Sequence, residues 1–339
     1  MGVKLTELLI KHEIKIEDLS FKIIAIDASL FLYQFLTTIR QYDGTPFTDS
    51  QGRITSHLIG LFNRTVNLLR KSIKPVFVFD GKPPELKHLT QKQRAIAKEK
   101  ALELYSKAVE KGFIEEAKKY ASRISKLTPE MIEESKKLIS ALGIPYVEAP
   151  SEGEAQASFM VKKGDCFAVA SQDEDSLMFG ASRLVRNLSI TGRRKVQNKK
   201  AYVKITPEII NLDENLNYLG VDIDQLIVMG ILIGTDYNPG GVSGVGPKKA
   251  LDLVRKYGKN FEALFSSVDW NFDFSWKDVF STIKNMPVTS DYELCWKQVN
   301  PSRVKEVLLE HDFSEERVDN LLKPLIERHS QKDLKSFFK

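Results

Sequence analysis

Apolar residues along this chain fall into short runs separated by stretches of helical periodicity. Residues 21–26 form an apolar, β-prone run that ends at Asp27, and residues 75–79 form a second that ends at Asp80-Gly81. Residues 166–170 repeat the design and end in Ser171-Gln172-Asp173, while 145–147 make a shorter strand that enters Ala149-Pro150-Ser151-Glu152. Helical patterns lie between them at 30–39, 54–72 and 129–142, so strands and helices alternate. That alternation predicts an α/β fold with a mostly parallel central sheet. In such sheets ligands gather beyond the carboxyl ends of the strands, where these acids would converge. Residues 82–126 break the alternation with a long polar helical stretch lacking a clear buried face, which predicts an insertion that stands away from the sheet and is mobile without a ligand. From Asp224 onward the pattern is helical, with Lys323-Pro324 expected to interrupt the last helix. Residues 330–339 read as a short polar tail, disordered until bound.

Composition adds limits. A chain of 339 residues, 42% apolar and 28% charged, is globular and long enough for two or three units or for one large domain with insertions. Its longest apolar run, 226–234, is well short of the ~20 residues a membrane-spanning helix needs. Cys166 and Cys295 stand far apart and outside any CxxC pair, which argues against a disulfide framework or zinc site and fits a reducing compartment rather than secretion. The start Met1-Gly2-Val3-Lys4-Leu5-Thr6 formally matches a myristoylation pattern. A net charge of +5 only permits an anionic partner, but its distribution is uneven. Residues 82–126 hold twelve Lys or Arg against six Glu, and 183–204 hold eight basic residues and no acid.

The acids carry the candidate chemistry. Two hard cations about 3.5 to 4 Å apart, the arrangement of a two-metal nuclease, require several carboxylates. The candidates are Asp27, Asp80, Glu152, Glu154, Asp173, Asp175 and Asp236. In an extended segment Asp173 and Asp175 point to one side and Glu174 to the other, which makes Glu174 a poor ligand. Ser151-Glu152-Gly153-Glu154, taken alone, reads as a capping box with Ser151 as N-cap, and Asp80-Gly81 alone reads as a turn. Asp27, leaving a strand among apolar residues, requires a partner or a cation. Seven carboxylates exceed the charge of two divalent ions, so a phosphate diester would still be repelled unless basic groups stood nearby. Lys87 and Arg94, about two helical turns apart, share a face of the basic insertion and meet that need. Residues 241–249, Gly-Val-Ser-Gly-Val-Gly-Pro-Lys-Lys, read as a turn between helices whose glycines expose backbone amides, a phosphate cradle suited to a DNA backbone.

Several stretches in order resemble the structure-specific flap endonucleases of archaea and eukaryotes, a resemblance that spans essentially the whole chain. They are Ile26-Asp27-Ala28, Tyr33-Gln34-Phe35-Leu36, Thr55-Ser56-His57-Leu58, Val78-Phe79-Asp80-Gly81-Lys82-Pro83-Pro84, Gly143-Ile144-Pro145, Ala149-Pro150-Ser151-Glu152-Gly153-Glu154-Ala155, Ser171-Gln172-Asp173, Gly234-Thr235-Asp236-Tyr237 and Gly244-Val245-Gly246-Pro247-Lys248. The resemblance implies a PIN-like 5′ nuclease fold whose seven acids bind two magnesium ions, with manganese able to substitute. It implies an arch on which Lys87 and Arg94, catalytic together with Asp173, contact the scissile phosphate. Tyr33 would stack on a base, Arg40 and Arg64 would lie near DNA, and Gly234, Gly244, Gly246, Lys248 and Lys249 would hold duplex with a potassium ion assisting. The Gly2 amine would lie near the site after removal of Met1.

The end of the chain, with Gln331, Leu334, Phe337 and Phe338, matches the pattern that binds a DNA sliding clamp of the proliferating cell nuclear antigen type. The sequence departs from the family at Glu174, where a bulky uncharged residue is usual. On this reading the chain divides into a nuclease region (1–98), an arch or linker (99–115), a second nuclease region with the helix-turn-helix (116–258), a helical region (259–329) and the tail (330–339). The expected activity is 5′-flap endonuclease and 5′-3′ exonuclease cleavage of branched or nicked DNA in Okazaki-fragment maturation and repair. The enzyme is expected to be a monomer, cytoplasmic or nucleoid-associated in an archaeon and nuclear in a eukaryote. The alternatives are a related junction or gap nuclease and a clamp-tethered DNA-binding scaffold without catalysis.

Overall fold

The computed structural model describes residues 3–188, 192–195 and 202–337, with side chains described except at 192–195, 202–204 and 328–337. The strands are β1 (His12–Glu13), β2 (Ile23–Asp27), β3 (Lys74–Phe79), β4 (Tyr146–Glu148), β5 (Ala168–Ala170), β6 (Arg183–Arg186), β7 (Gly192–Lys195), β8 (Tyr202–Ile205) and β9 (Glu208–Asn211). Seven of them form one sheet in the order β1-β9-β6-β5-β2-β3-β4, and β7 and β8 pair separately. From β6 to β4 neighbouring strands are parallel, while β9 and β1 add an antiparallel edge.

Residues in the central strands alternate between two apolar layers, as a sheet covered on both faces demands. Ala25, Val76, Val78 and Val169 face one layer, and Ile24, Ile26, Phe77 and Phe79 face the other. Helices α1 (Ala28–Thr38) and α2 (Ser56–Arg70) cover the second layer. The chain then continues through α3 (His88–Glu110) and α4 (Ile114–Ile124) to α5 (Pro129–Ala141), which joins α1 and α2. Helix α6 (Gly153–Lys163), the short α7 (Asp175–Met178), α8 (Leu212–Leu219) and α9 (Ile223–Ile233) build the opposite layer. Helices α10 (Pro247–Tyr257), α11 (Phe261–Ser266) and α12 (Trp276–Lys284) extend it, and α13 (Pro301–Leu309) and α14 (Glu315–Phe337) return to the α1/α2 side. Connections from β2 lead to β3 on one side, whereas the chain reaches β5 on the other only after α6. The crevice between the ends of β2 and β5 is therefore a topological switch point.

Helices α3 and α4 form the insertion. They pack along each other through small buried residues, Ala101 and Ala108 on α3 and Ala117 and Ala121 on α4, while Ile96, Leu102 and Val109 stay exposed. That narrow alanine seam is why the sequence shows no broad apolar face. The hairpin spans 88–124, so divisions at 98/99 and 115/116 both run through its helices.

Pro324 does not end the last helix, contrary to expectation; α14 continues through it. A proline cannot donate to the carbonyl one turn earlier, which would leave Asn320 O without a partner. Arg70 on α2 donates to this turn, with Nη2 2.9 Å from Leu321 O and a long 3.5 Å from Asn320 O. The backbone of 330–337 prolongs α14 rather than trailing as an irregular tail. Arg70→Ala is expected to cost about 1 to 2 kcal/mol of stability, through lost charge-assisted bonds, without changing the sheet. Denaturant unfolding with an unchanged midpoint would show that Pro324 is tolerated for another reason.

Candidate active site

Asp27 ends β2 and is 7% exposed; its Oδ1 accepts the Leu30 amide at 3.0 Å, so it also caps α1. Asp80 follows β3 and takes the Gly153 amide at 2.7 Å. The loop after β4 is laced to the β3 exit by Gly81 N to Ser151 O (2.6 Å) and Lys82 N to Pro150 O (3.3 Å). A Cβ on Gly81 would lie 2.0 Å from Ala149 O, so only glycine permits this crossing. Asp80-Gly81 is thus a junction between two strand exits and not simply a turn.

Glu152, at the N-cap position, and Glu154 are delivered by the first turn of α6. The expected capping box does not form. Ser151 Oγ donates to Lys82 O, and Glu154 Oε1 accepts from Ser171 Oγ at 2.6 Å. Ser151 is drawn into the strand-exit junction, which leaves both glutamates free to point at the site. Asp173 and Asp175 are not on an extended segment either, because β5 stops at Ala170 and Asp175 opens α7. Glu174 nevertheless faces away from the site, as expected. Its carboxylate binds Leu5 N, Thr6 Oγ1 and Arg186 Nη1. Two groups that the sequence reading missed join the site: Ser171, which also accepts from Asp173 N at 3.2 Å, and Val3, whose amide donates to Asp175 Oδ1 at 2.7 Å. Ser171 stands inside a quoted motif, and the resemblance brought the Gly2 amine near the site but did not point to the Val3 amide.

All seven acids act on one another electrostatically. Burial pushes Asp27 up to about 8, with Asp80 and then Asp173 adding repulsion. Asp175 is raised to about 7 by burial and then by Asp173 and Asp236, against the opposing Val3 amide. Glu154 is held well above the carboxylate range by burial and by Asp175, Asp27 and Asp173. Burial also raises Glu152, with Asp80 and Asp236 adding to it and Lys87 opposing. Arch cations answer this repulsion as the charge argument required. Lys87 Nζ lies 2.5 Å from Glu152 Oε2 and 3.8 Å from Asp236 Oδ2, and Arg94 Nη2 lies 2.8 Å from both Asp236 oxygens.

The donor set fits hard divalent cations. It consists of carboxylate oxygens in a buried, mutually repelling cluster, and Glu152 Oε1 is buried without a hydrogen-bond partner. Among the described residues no three acids are yet gathered into one coordination sphere, and Glu152 and Asp236 are engaged by Lys87 and Arg94.

Residues 1–101 match the XPG N-terminal domain and residues 143–236 the XPG I-region. Flap endonuclease 1 of Hyperthermus butylicus is 51% identical over 96% of this chain and 94% of its own length, and that of Pyrococcus abyssi is 52% identical over 100% and 98%. The chain belongs to the flap endonuclease 1 family. Among solved structures, flap endonuclease-1 from Methanococcus jannaschii matches with TM-score 0.77 and 44% identity, covering 98% of this chain and 100% of that one. The catalytic core of Rad2 in complex with DNA substrate matches with TM-score 0.66 and 25% identity over 93% and 96%. As a member of this family the chain is a metal-dependent nuclease.

The remaining positions expected from the flap endonuclease resemblance divide by how the fold uses them. Tyr33 and Arg64 are half-buried on α1 and α2. Arg40 is already committed inside the protein: it donates to Gly44 O at 2.7 Å, to Thr37 O at 3.3 Å and to Ser125 Oγ, tying the loop after α1 to the foot of α4. In the turn between α9 and α10, Val242 and Val245 are buried anchors, while Gly244 and Gly246 face open space. Among the described residues the amides of Ser243, Gly244 and Gly246 have no protein partner, and Lys248 and Lys249 are exposed. Gly234 serves packing instead: a Cβ there would lie 2.6 Å from Gly241 N. Phe338 and Gly2 lie outside the described residues, as do the side chains of Gln331, Leu334 and Phe337.

In the metal-free protein, Asp27 and Asp175 hold protons that an unfolded chain releases near pH 4, so their stability contribution is complete at low pH and is lost as pH rises through about 7 to 8. The melting temperature without metal should therefore fall between pH 5.5 and 8.5, and an added divalent cation should raise it more at pH 8 than at pH 6. A metal-free melting temperature that is flat across this range, or a metal effect independent of pH, would contradict the arrangement.

Proposed function

We propose that this chain is a 5′-flap endonuclease with associated 5′-3′ exonuclease activity, cutting DNA where a single strand leaves a duplex, in Okazaki-fragment maturation and repair. The observation that carries this reading is the closure of seven converging acids by Lys87 and Arg94 from the α3/α4 hairpin. A pure DNA binder gains nothing from such an acidic centre, since it repels the phosphates it must hold.

Asp27, Asp80, Glu152, Glu154, Asp173, Asp175 and Asp236 hold the cations, which we assign as two magnesium ions, with manganese as a substitute. When bound, they supply an activated water and stabilise the departing oxygen. Glu152 and Asp236 would serve as ligands of the bound cations, which would leave Lys87 and Arg94, now paired with them, to grip the scissile phosphate. Lys87 acts as a point charge and Arg94 as a planar fork. The same two side chains thus neutralise the acids before substrate arrives and the phosphate afterwards. Tyr33 stacks on a base beside the cut. The free amides of Ser243, Gly244 and Gly246, with Lys248 and Lys249, cradle a phosphate of the duplex, and we assign a potassium ion to that turn. Gln331, Leu334, Phe337 and Phe338 form a plug for a sliding clamp.

Asp173→Ala should abolish cleavage of a labelled flap while its binding changes little; full activity of that variant would sink the proposal. Comparing flap, bubble and four-way junction substrates separates a flap enzyme from a junction nuclease. For the tail, Phe337→Ala with Phe338→Ala should remove stimulation by the clamp and leave clamp-independent cleavage intact. Retained stimulation in a clamp titration would exclude the tail as the contact.

A further inference from the structure

Glu174 sits between two of the site acids yet belongs to none of their contacts. It is 2% exposed, and both oxygens are occupied: Oε2 accepts the Leu5 amide at 2.8 Å, and Oε1 accepts Thr6 Oγ1 at 2.5 Å and Arg186 Nη1 at 2.9 Å. Arg186, at the end of β6, offsets the charge of Glu174, which would otherwise add to the repulsion among the site acids, and its Nε is buried with no hydrogen-bond partner. The neighbouring Asp175 holds the Val3 amide at 2.7 Å. Adjacent residues of the turn after β5 therefore bind amides two residues apart on the N-terminal segment. Val3 and Leu5 are buried, and Val3 lies beside Gly230 on α9, whose missing side chain makes room for Met178: a Cβ there would lie 2.2 Å from Met178 Sδ but at an ordinary contact distance of 3.6 Å from Val3 Cγ2.

We propose that Glu174 is a positioning residue: paired with Arg186, it anchors residues 3–6 so that the Val3 amide is delivered to Asp175, and through that bond it sets the orientation of Asp175 in the metal site. An apolar side chain at this place could fill the space but could not hold the Leu5 amide or the Thr6 hydroxyl. Without them the segment would be fixed only by packing. The inference rests on Asp175 being a metal ligand, but the anchoring itself does not.

Two readouts test it on the full-length protein. Hydrogen exchange on the metal-free Glu174→Ala variant should show the Val3 and Leu5 amides exchanging roughly tenfold faster or more, with the central strands unaffected. Flap cleavage should need a severalfold higher magnesium concentration for half-maximal rate, with KM for the flap unchanged within about twofold. If the alanine variant does not fold, Thr6→Val, which removes one hydroxyl, and Glu174→Met combined with Arg186→Met, which removes both buried charges, take its place. The double variant should recover thermal stability without recovering amide protection. Protection at Val3 and Leu5 equal to wild type, or a lowered melting temperature with unchanged magnesium dependence, would overturn the proposal and leave Glu174 a packing residue. Absence of cleavage by the wild-type protein would instead strike the proposed function, and the exchange result would still decide the anchoring.

Discussion

Repulsion among buried carboxylates is the constraint on which this molecule turns. Asp27, Glu154 and Asp175 are held above their ordinary range because burial and neighbouring acids disfavour their charged forms. A fold that only needed stability would replace them with apolar residues. Their retention, together with backbone amides from Leu30, Gly153 and Val3 aimed at them, shows a framework built to keep acids close until something more strongly charged arrives. The metal dependence of the family is the functional form of that constraint.

Two elements far apart in sequence answer the repulsion. The α3/α4 hairpin brings Lys87 and Arg94 to Glu152 and Asp236, and the N-terminal segment brings an amide to Asp175. The hairpin is held to the loop after α1 by Lys118, which lies over the Tyr42 ring, and by Arg40, which reaches Ser125 just beyond α4. On the proposed function, substrate phosphate would compete with the acids for the same two basic side chains, so closure of the site and recognition of DNA would draw on one set of charges.

The flap endonuclease frame also explains why glycines matter here at a few positions only. Gly81 lets the exit of β3 cross the loop before α6, and Gly234 lies against Gly241 to fold back the turn between α9 and α10. Gly244 and Gly246 play another part, leaving amides open on the outer side of that turn. One set of glycines is spent on internal contact and the other on external reach.

Short apolar runs ending in aspartates, alternating with helical patterns, were enough from sequence alone to predict the mostly parallel sheet and the acids at its strand ends, because the period of apolar residues follows local backbone geometry. Charge arithmetic likewise required the basic insertion, since like charges must be offset wherever they gather. Local rules failed where a distant partner outcompeted a near one. Ser151 gave up its cap for Lys82 O, and α14 ran on through Pro324 beside Arg70 of α2. Glu174 was legible only as pointing away from the site. What it points to, a segment 169 residues earlier and an arginine on the next strand, was decided by the tertiary structure, because hydrogen bonds between remote segments leave no periodicity to read.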